Sequence, residues 1–200
     1  PSNPIGHTIS KDTIFKACET AKDFGLLVLD LAYIEFADED FTKEILATYP
    51  NVVVLRTLSK AFGLAGSRCG ALLASSEICD YVMRVLPPYS FSKPAERSIL
   101  EALTEDGIET SKLNIKEVIK ERMYLETAFT EIDCIKKIYK SSANFILVQV
   151  ENSDLFCEKA KEYGLLLRNV SYQPSLHNCV RITVGMRKQN DLLIEGIKTL

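Results

Sequence analysis

Thr57-Leu58-Ser59-Lys60-Ala61-Phe62-Gly63-Leu64-Ala65-Gly66-Ser67-Arg68 is the stretch that decides how this chain folds. It follows the short, uniformly apolar run Val52-Val53-Val54-Leu55 and precedes another, Cys69-Gly70-Ala71-Leu72-Leu73-Ala74. Upstream, Leu26-Leu27-Val28-Leu29 is a third such run, ending at Asp30. Runs this short and apolar predict strands buried on both faces, as in α/β sheets. Polar residues stand where the runs end, and open α/β folds place ligands at strand carboxyl ends. A surface turn with an ordinary solvated lysine has the same spacing, so the stretch needs company before it names a chemistry.

The residue types suggest what that chemistry is. An amine that attacks an aldehyde carbon must work partly deprotonated, which a desolvated pocket with cationic neighbours promotes. Lys60 is the candidate. The hydroxyls of Thr57 and Ser59 and the guanidinium of Arg68 can cradle a phosphate dianion, with glycines letting backbone approach closely. Asp30 can hold a pyridine nitrogen protonated so that the ring withdraws electrons, and Tyr33 can bond a phenolic ring oxygen. Taken alone, Asp30 reads better as a helix or turn cap. Asn3-Pro4-Ile5-Gly6 places an amide on a tight turn, which this tetrapeptide also forms for purely local reasons. Arg168 and Arg181 complete the set. Arg181 lies inside Val180-Arg181-Ile182-Thr183-Val184, where a guanidinium is costly unless it meets an anion; the alternatives are a bound carboxylate and a structural ion pair.

Two hundred residues, 46% of them hydrophobic, can bury a substantial core as one large domain or two small ones. Net charge is −3 with basic and acidic residues interspersed, which argues against a nucleic-acid or membrane-surface footprint. No apolar stretch approaches the roughly 20 residues a bilayer span needs. The opening PSNPIGHTIS lacks an initiator Met and shows no signal-peptide pattern, which predicts a processed or shortened chain. Six dispersed cysteines without a CxxC pair read as reduced thiols of a cytoplasmic protein, and His7 and His177 fit no metal-ligand pattern.

Ser10 predicts the cap of a helix running to Phe24, with Gly25 as its stop. Further helices are predicted over 76–86, 92–104, 109–132, 154–163 and 190–200, with strands over 143–150, 165–168 and 180–184. Residues 135–140 read as the solvated face of an edge strand. The change of pattern places a boundary near residue 106, dividing the chain into 1–105 and 106–200.

Together, N-P-x-G, D-x-A-Y, T-L-S-K-A-F-G-L-A-G-x-R and an arginine thirteen residues before that of V-R-I-T-V-G resemble the histidinol-phosphate aminotransferases, a family of fold-type-I pyridoxal-phosphate enzymes. The resemblance runs from residue 1 to residue 200. It implies an α/β fold: part of the cofactor-binding large domain, mainly parallel sheet with flanking helices, over 1–105, then an α+β small domain over 106–200. It also implies that the family's amino-terminal part lies upstream. Lys60 is then the lysine that bonds the cofactor's aldehyde. Asp30 pairs with the ring nitrogen, and Tyr33 and Asn3 bond the ring oxygen. Thr57, Ser59 and Arg68 hold the cofactor phosphate, Arg181 takes the amino-acid carboxylate, and Arg168 helps to bind the other substrate's phosphate. The implied reaction is transamination of L-histidinol phosphate with 2-oxoglutarate in histidine biosynthesis, by a cytoplasmic homodimer acting on small molecules. The alternatives are a threonine-phosphate decarboxylase and a catalytically inert chain lacking its amino-terminal half. Departures from the family pattern are Leu31 for Glu, Ser67 for Leu, and Gly185-Met186-Arg187 for the commoner Gly-Thr; none removes a catalytic group.

Overall fold

A computed structural model describes residues 1–200. By compactness the chain divides into a unit of Ile9–Leu113 and a unit of Pro1–Thr8 with Asn114–Leu200. The sequence suggests a boundary near 106. Compactness divides the chain instead inside a 25-residue helix, α5 (Glu105–Phe129), whose continuous charge-laced pattern offers no break at the boundary itself.

In the Ile9–Leu113 unit, helix α1 (Lys11–Ala21) begins where Ser10 Oγ accepts the Thr13 N–H, and it ends three residues before the expected Phe24. Strand β1 (Leu27–Asp30) pairs parallel with β2 (Val52–Thr57), and β2 pairs antiparallel with β3 (Gly70–Leu73). Between β1 and β2 lies α2 (Thr42–Thr48), a seven-residue helix that the sequence reading does not anticipate. After β3 come α3 (Ser76–Met83) and α4 (Lys93–Ala102), the latter capped by Ser92 with Pro94 in its first turn. The core gathers Cys18, Ile45, Tyr49, Val52 and Val54, with Leu27, Leu29 and Leu73 packed against it. Phe15 meets the Tyr49 ring edge-on at 5.8 Å between centroids, a geometry that adds to simple area burial.

Burial on both sheet faces is not found throughout. Val52–Val54 of β2 are buried, but β1 alternates and Val28 is 55% exposed. The helices seal the side that Leu27, Leu29 and Val54 share, whereas on the other side Val53 is buried and Val28 stays more than half exposed.

The second unit carries a four-stranded antiparallel sheet in the order β4-β5-β7-β6. Its strands are β4 (Ile135–Tyr139), β5 (Phe145–Val150), β6 (Arg168–Asn169) and β7 (Cys179–Thr183). The segment read as an edge strand is β4, at one edge. β6 is only two residues long, shorter than expected. Helices α6 (Ser153–Glu162) and α7 (Arg187–Ile197) pack on the face bearing Ile146, Val148, Val180 and Ile182, together with Leu125 and Phe129 of α5. Asn152 Oδ1 caps α6 by accepting two backbone N–H groups at 3.1 Å. α7 starts three residues earlier than expected, because Gln189 Oε1 accepts the Met186 N–H at 3.0 Å and satisfies the helix entry. The opposite sheet face buries Leu147, Val170, Leu176 and Cys179, against which Ile5 packs. That apolar anchor groups Pro1–Thr8 with this unit. All six cysteines are free, and no helix is long and apolar enough to cross a membrane.

Candidate active site

In the Ile9–Leu113 unit the predicted residues collect at one sheet edge. β1 and β2 are parallel with Asp30 opposite Leu55, so their carboxyl ends finish side by side. β3 runs the other way and starts with Gly70 opposite Thr57, while the Leu58 N–H donates to Cys69 O at 3.1 Å. The turn carrying Arg68 is thereby returned to the strand end it left.

Asp30 Oδ1 accepts the Ala32 N–H at 3.0 Å. The turn-capping reading is therefore realised through one carboxylate oxygen, and Oδ2 stays available to another donor. Thr57 Oγ1 lies 3.0 Å from Ser59 Oγ and accepts the Ser59 N–H at 3.1 Å, so two hydroxyls stand together just past β2. Lys60 Nζ lies 5.4 Å from the centroid of the buried Tyr33 ring. Arg68 adopts a left-handed backbone, φ 52° and ψ 34°, and its Nη1 donates to Ala65 O at 3.2 Å. A non-glycine residue in that region costs of order 1–2 kcal/mol, and such strain clusters at functional sites.

The desolvated surroundings expected for Lys60 are not provided by this chain. Its side chain is exposed, because it lies beyond the last strand residue with the Tyr33 ring on one side only. Lys60, Arg68, Arg168 and Arg181 all stand outside the chain's ion pairs.

In the second unit β6 and β7 place Arg168 directly opposite Arg181. Opposed positions of an antiparallel pair project to one face, where like charges repel; an anion between them removes that penalty. The structural ion pair considered for Arg181 is absent. Its Nη1 donates instead to neutral Asn3 Oδ1 at 2.7 Å, its guanidinium carbon lies 5.1 Å from the Phe145 ring centroid, and its buried Nε has no acceptor. Asn3 is carried on a turn in which the Gly6 N–H donates to Ser2 O at 2.6 Å. Tyr172, which sequence reasoning missed, has its phenol pushed below the ordinary value, first by the Gln173 side-chain hydrogen bond and then by Arg168.

Two polar clusters also escaped the sequence reading. Arg56 bridges Glu35 at 2.8 Å and Asp40 at 2.9 Å. Burial alone pushes the Asp40 carboxyl up, but hydrogen bonds from Thr42 and the charge of Arg56 outweigh it and hold it below the usual range. An arginine closing an apolar strand run was the available signal. In the second unit Glu121, 2% exposed, takes Arg187 Nε and Nη2 at 3.0 Å and 2.7 Å and Asn190 Nδ2 at 2.8 Å. Arg187 lies 3.5 Å over the Tyr124 ring. These contacts wall a hollow of about 480 Å³ beside Val118 and Gly185 that holds none of the predicted site residues.

The family model for aminotransferase class I and II matches residues 1–197. A histidinol-phosphate aminotransferase of Shigella flexneri is 37% identical over 198 residues, covering 99% of this chain and 56% of that protein. One of Pectobacterium atrosepticum is 37% identical over 200 residues, covering 100% and 56%. The chain thus spans about half the length of the curated relatives it matches. Among solved structures, histidinol-phosphate aminotransferase from Clostridium acetobutylicum superposes with TM-score 0.88 at 23% identity, covering all of this chain and 61% of that one. L-threonine-O-3-phosphate decarboxylase from Porphyromonas gingivalis gives 0.86 at 24%, covering 100% and 62%. Histidinol-phosphate aminotransferase from Sinorhizobium meliloti in complex with pyridoxal-5'-phosphate gives 0.83 at 24%, covering 100% and 55%. At those identities the structures speak for the fold alone. The family match, spanning nearly every residue and both units, places this chain in the aminotransferase class I and II family.

Proposed function

We propose that this chain belongs to a pyridoxal-phosphate-dependent aminotransferase whose substrates are L-histidinol phosphate and 2-oxoglutarate. The observation that carries the cofactor assignment is the exposed Lys60 amine, outside every ion pair, at a strand edge that also presents Asp30 Oδ2 and the Thr57–Ser59 hydroxyl pair. This donor set suits a ligand with an aldehyde, a basic ring nitrogen and a phosphate. A side-chain carbon built on Gly63 or Gly66 meets no atom within 4 Å, so the loop leaves space there. Identity with histidinol-phosphate aminotransferases over the whole chain supports the choice of substrates.

Bound pyridoxal phosphate supplies an aldehyde that condenses with amines and a ring that draws electrons away from the substrate carbon. Asp30 Oδ2 keeps a proton on the ring nitrogen. Tyr33 and the Asn3 Nδ2, which its bond to Arg181 leaves free, donate to the ring oxygen. Thr57, Ser59 and Arg68 bind the phosphate. Lys60 Nζ accepts the proton lost by the substrate carbon and later returns one. Arg181 offers a planar fork to the α-carboxylate, and Arg168 meets the phosphate of histidinol phosphate. In this reading the amino group leaves histidinol phosphate as imidazole-acetol phosphate forms and reaches 2-oxoglutarate to give glutamate. A homodimer in the cytoplasm is part of the same proposal.

Borohydride reduction of the full-length protein with pyridoxal phosphate tests Lys60. The wild type takes up a covalent pyridoxyl label on the peptide containing Lys60, and Lys60→Ala does not; a label that persists elsewhere in the variant removes the assignment. Measuring glutamate formation against carbon dioxide release, from histidinol phosphate and from threonine phosphate, separates transamination from decarboxylation.

A further inference from the structure

Ser141 is a buried hydroxyl that the proposed mechanism does not use, and it stands between the two groups that hold Arg181. Its Oγ donates to Phe145 O at 2.6 Å and accepts the Ala143 N–H at 3.1 Å, with the residue only 5% exposed. Phe145 lies under the Arg181 guanidinium. On its other side Ser141 receives Gly6: a side-chain carbon built there would fall 2.2 Å from Ser141 Oγ and 2.8 Å from its Cβ. The Ser142 N–H donates to Gly6 O at 2.9 Å, which locks the Asn3–Gly6 turn onto the same corner. Arg122, buried in α5, steadies the corner from behind by donating to Ala143 O at 2.8 Å.

We propose that Ser141 is a positioning residue for Arg181: it fixes Phe145 beneath the guanidinium and, through Gly6, sets the Asn3 amide that receives Nη1. A turn-forming serine needs neither a glycine pressed against its hydroxyl nor two separate links to one arginine. Both are present. A guanidinium held at Nη1, with a buried Nε that has no acceptor, is oriented before any ligand arrives. Pre-orientation lowers the ordering cost of binding a planar carboxylate. The proposal rests on the aminotransferase reading only for the identity of that ligand.

The test is titration calorimetry of the full-length holoenzyme with glutarate, an unreactive dicarboxylate, for wild type, Asn3→Ala, Ser141→Ala and the double variant, with thermal melts alongside. Each single change is expected to weaken glutarate about tenfold. The double variant is expected to fall within about twofold of Asn3→Ala, because both changes act on one arrangement. Wild-type affinity in Ser141→Ala, or losses that multiply in the double variant, overturns the proposal. Should Ser141→Ala unfold, Ser141→Cys keeps the volume and a weak donor, and the same non-additivity decides. If wild type ignores glutarate, the aminotransferase reading fails. The guanidinium NMR signal of Arg181 then decides separately: an equal displacement in Asn3→Ala and Ser141→Cys supports positioning, and an unmoved signal in Ser141→Cys refutes it.

Discussion

Arg181 Nη1 donates to Asn3 Oδ1 across 2.7 Å, joining residues 178 positions apart. The acceptor is neutral, so the guanidinium keeps its full charge while losing its freedom to turn. Arg181→Lys retains the charge and loses the planar fork. In the full-length enzyme we expect KM for 2-oxoglutarate to rise about tenfold or more. Steady-state kinetics checks this; an unchanged KM means that Arg181 does not touch the carboxylate.

Arg68 opposes stability to binding. Its left-handed backbone suits glycine, and Nη1 holds only Ala65 O. Arg68→Gly is expected to leave the protein as stable or more stable, by about 1 kcal/mol. The same change should weaken pyridoxal phosphate at least tenfold if the guanidinium binds phosphate. Chemical denaturation of the cofactor-free protein and a spectroscopic cofactor titration read the two effects separately.

Gly6 has φ +83° and no room for a side chain against Ser141. Gly6→Ala therefore combines backbone strain with a clash against a hydroxyl already held by two hydrogen bonds. A loss of about 3 kcal/mol is expected. It should show as a lower urea midpoint with an unchanged slope. A midpoint equal to that of wild type would contradict the packing described for this corner.

Glu121 predicts a pH dependence. Arg187, first, and then Asn190 hold its carboxyl below the ordinary value. A group depressed on folding contributes stability that is fully present above its unfolded pKa, near the ordinary carboxylate value. That contribution is lost as pH falls through the lower folded value. Melting of the wild type between pH 7 and pH 3 should show this decline, whereas Glu121→Gln should lose it. At pH 7 the Gln variant should melt about 5 °C lower, because Gln cannot match the bidentate bond to Arg187. Parallel melting curves for the two proteins would remove Glu121 from the account.

The strands and the residues at their ends were legible because apolar runs are contiguous in sequence: Asp30 directly follows one, and Thr57 and Lys60 lie within five residues of the end of another. Helix α2 was not, since Thr42–Thr48 is short and Ile45 is its one buried apolar residue. Burial on both faces was overread at Val28: an apolar run shows what a strand prefers to meet, not whether this chain supplies it. Glu121 looks like any other acid of a charge-laced helix, and only packing against α7 separates it from exposed Glu117. The pairing of Asn3 with Arg181 has no local signature. Ile5 and Gly6 bring it about, and neither is unusual in sequence.

The two rims of the four-stranded sheet differ in length but share a consequence for solubility. An unpaired rim strand is a template on which another chain can add, and natural proteins guard against this. β6 offers only Arg168 and Asn169. β4 is longer, but its register slips between Ile135 and Lys137, and Lys136 and Lys137 are both exposed. A second copy approaching β4 would meet a kinked ladder, the exposed Lys137 charge and the Lys136–Glu151 ion pair, so the segment read from sequence as the solvated face of an edge strand also keeps neighbouring molecules from stacking edge to edge.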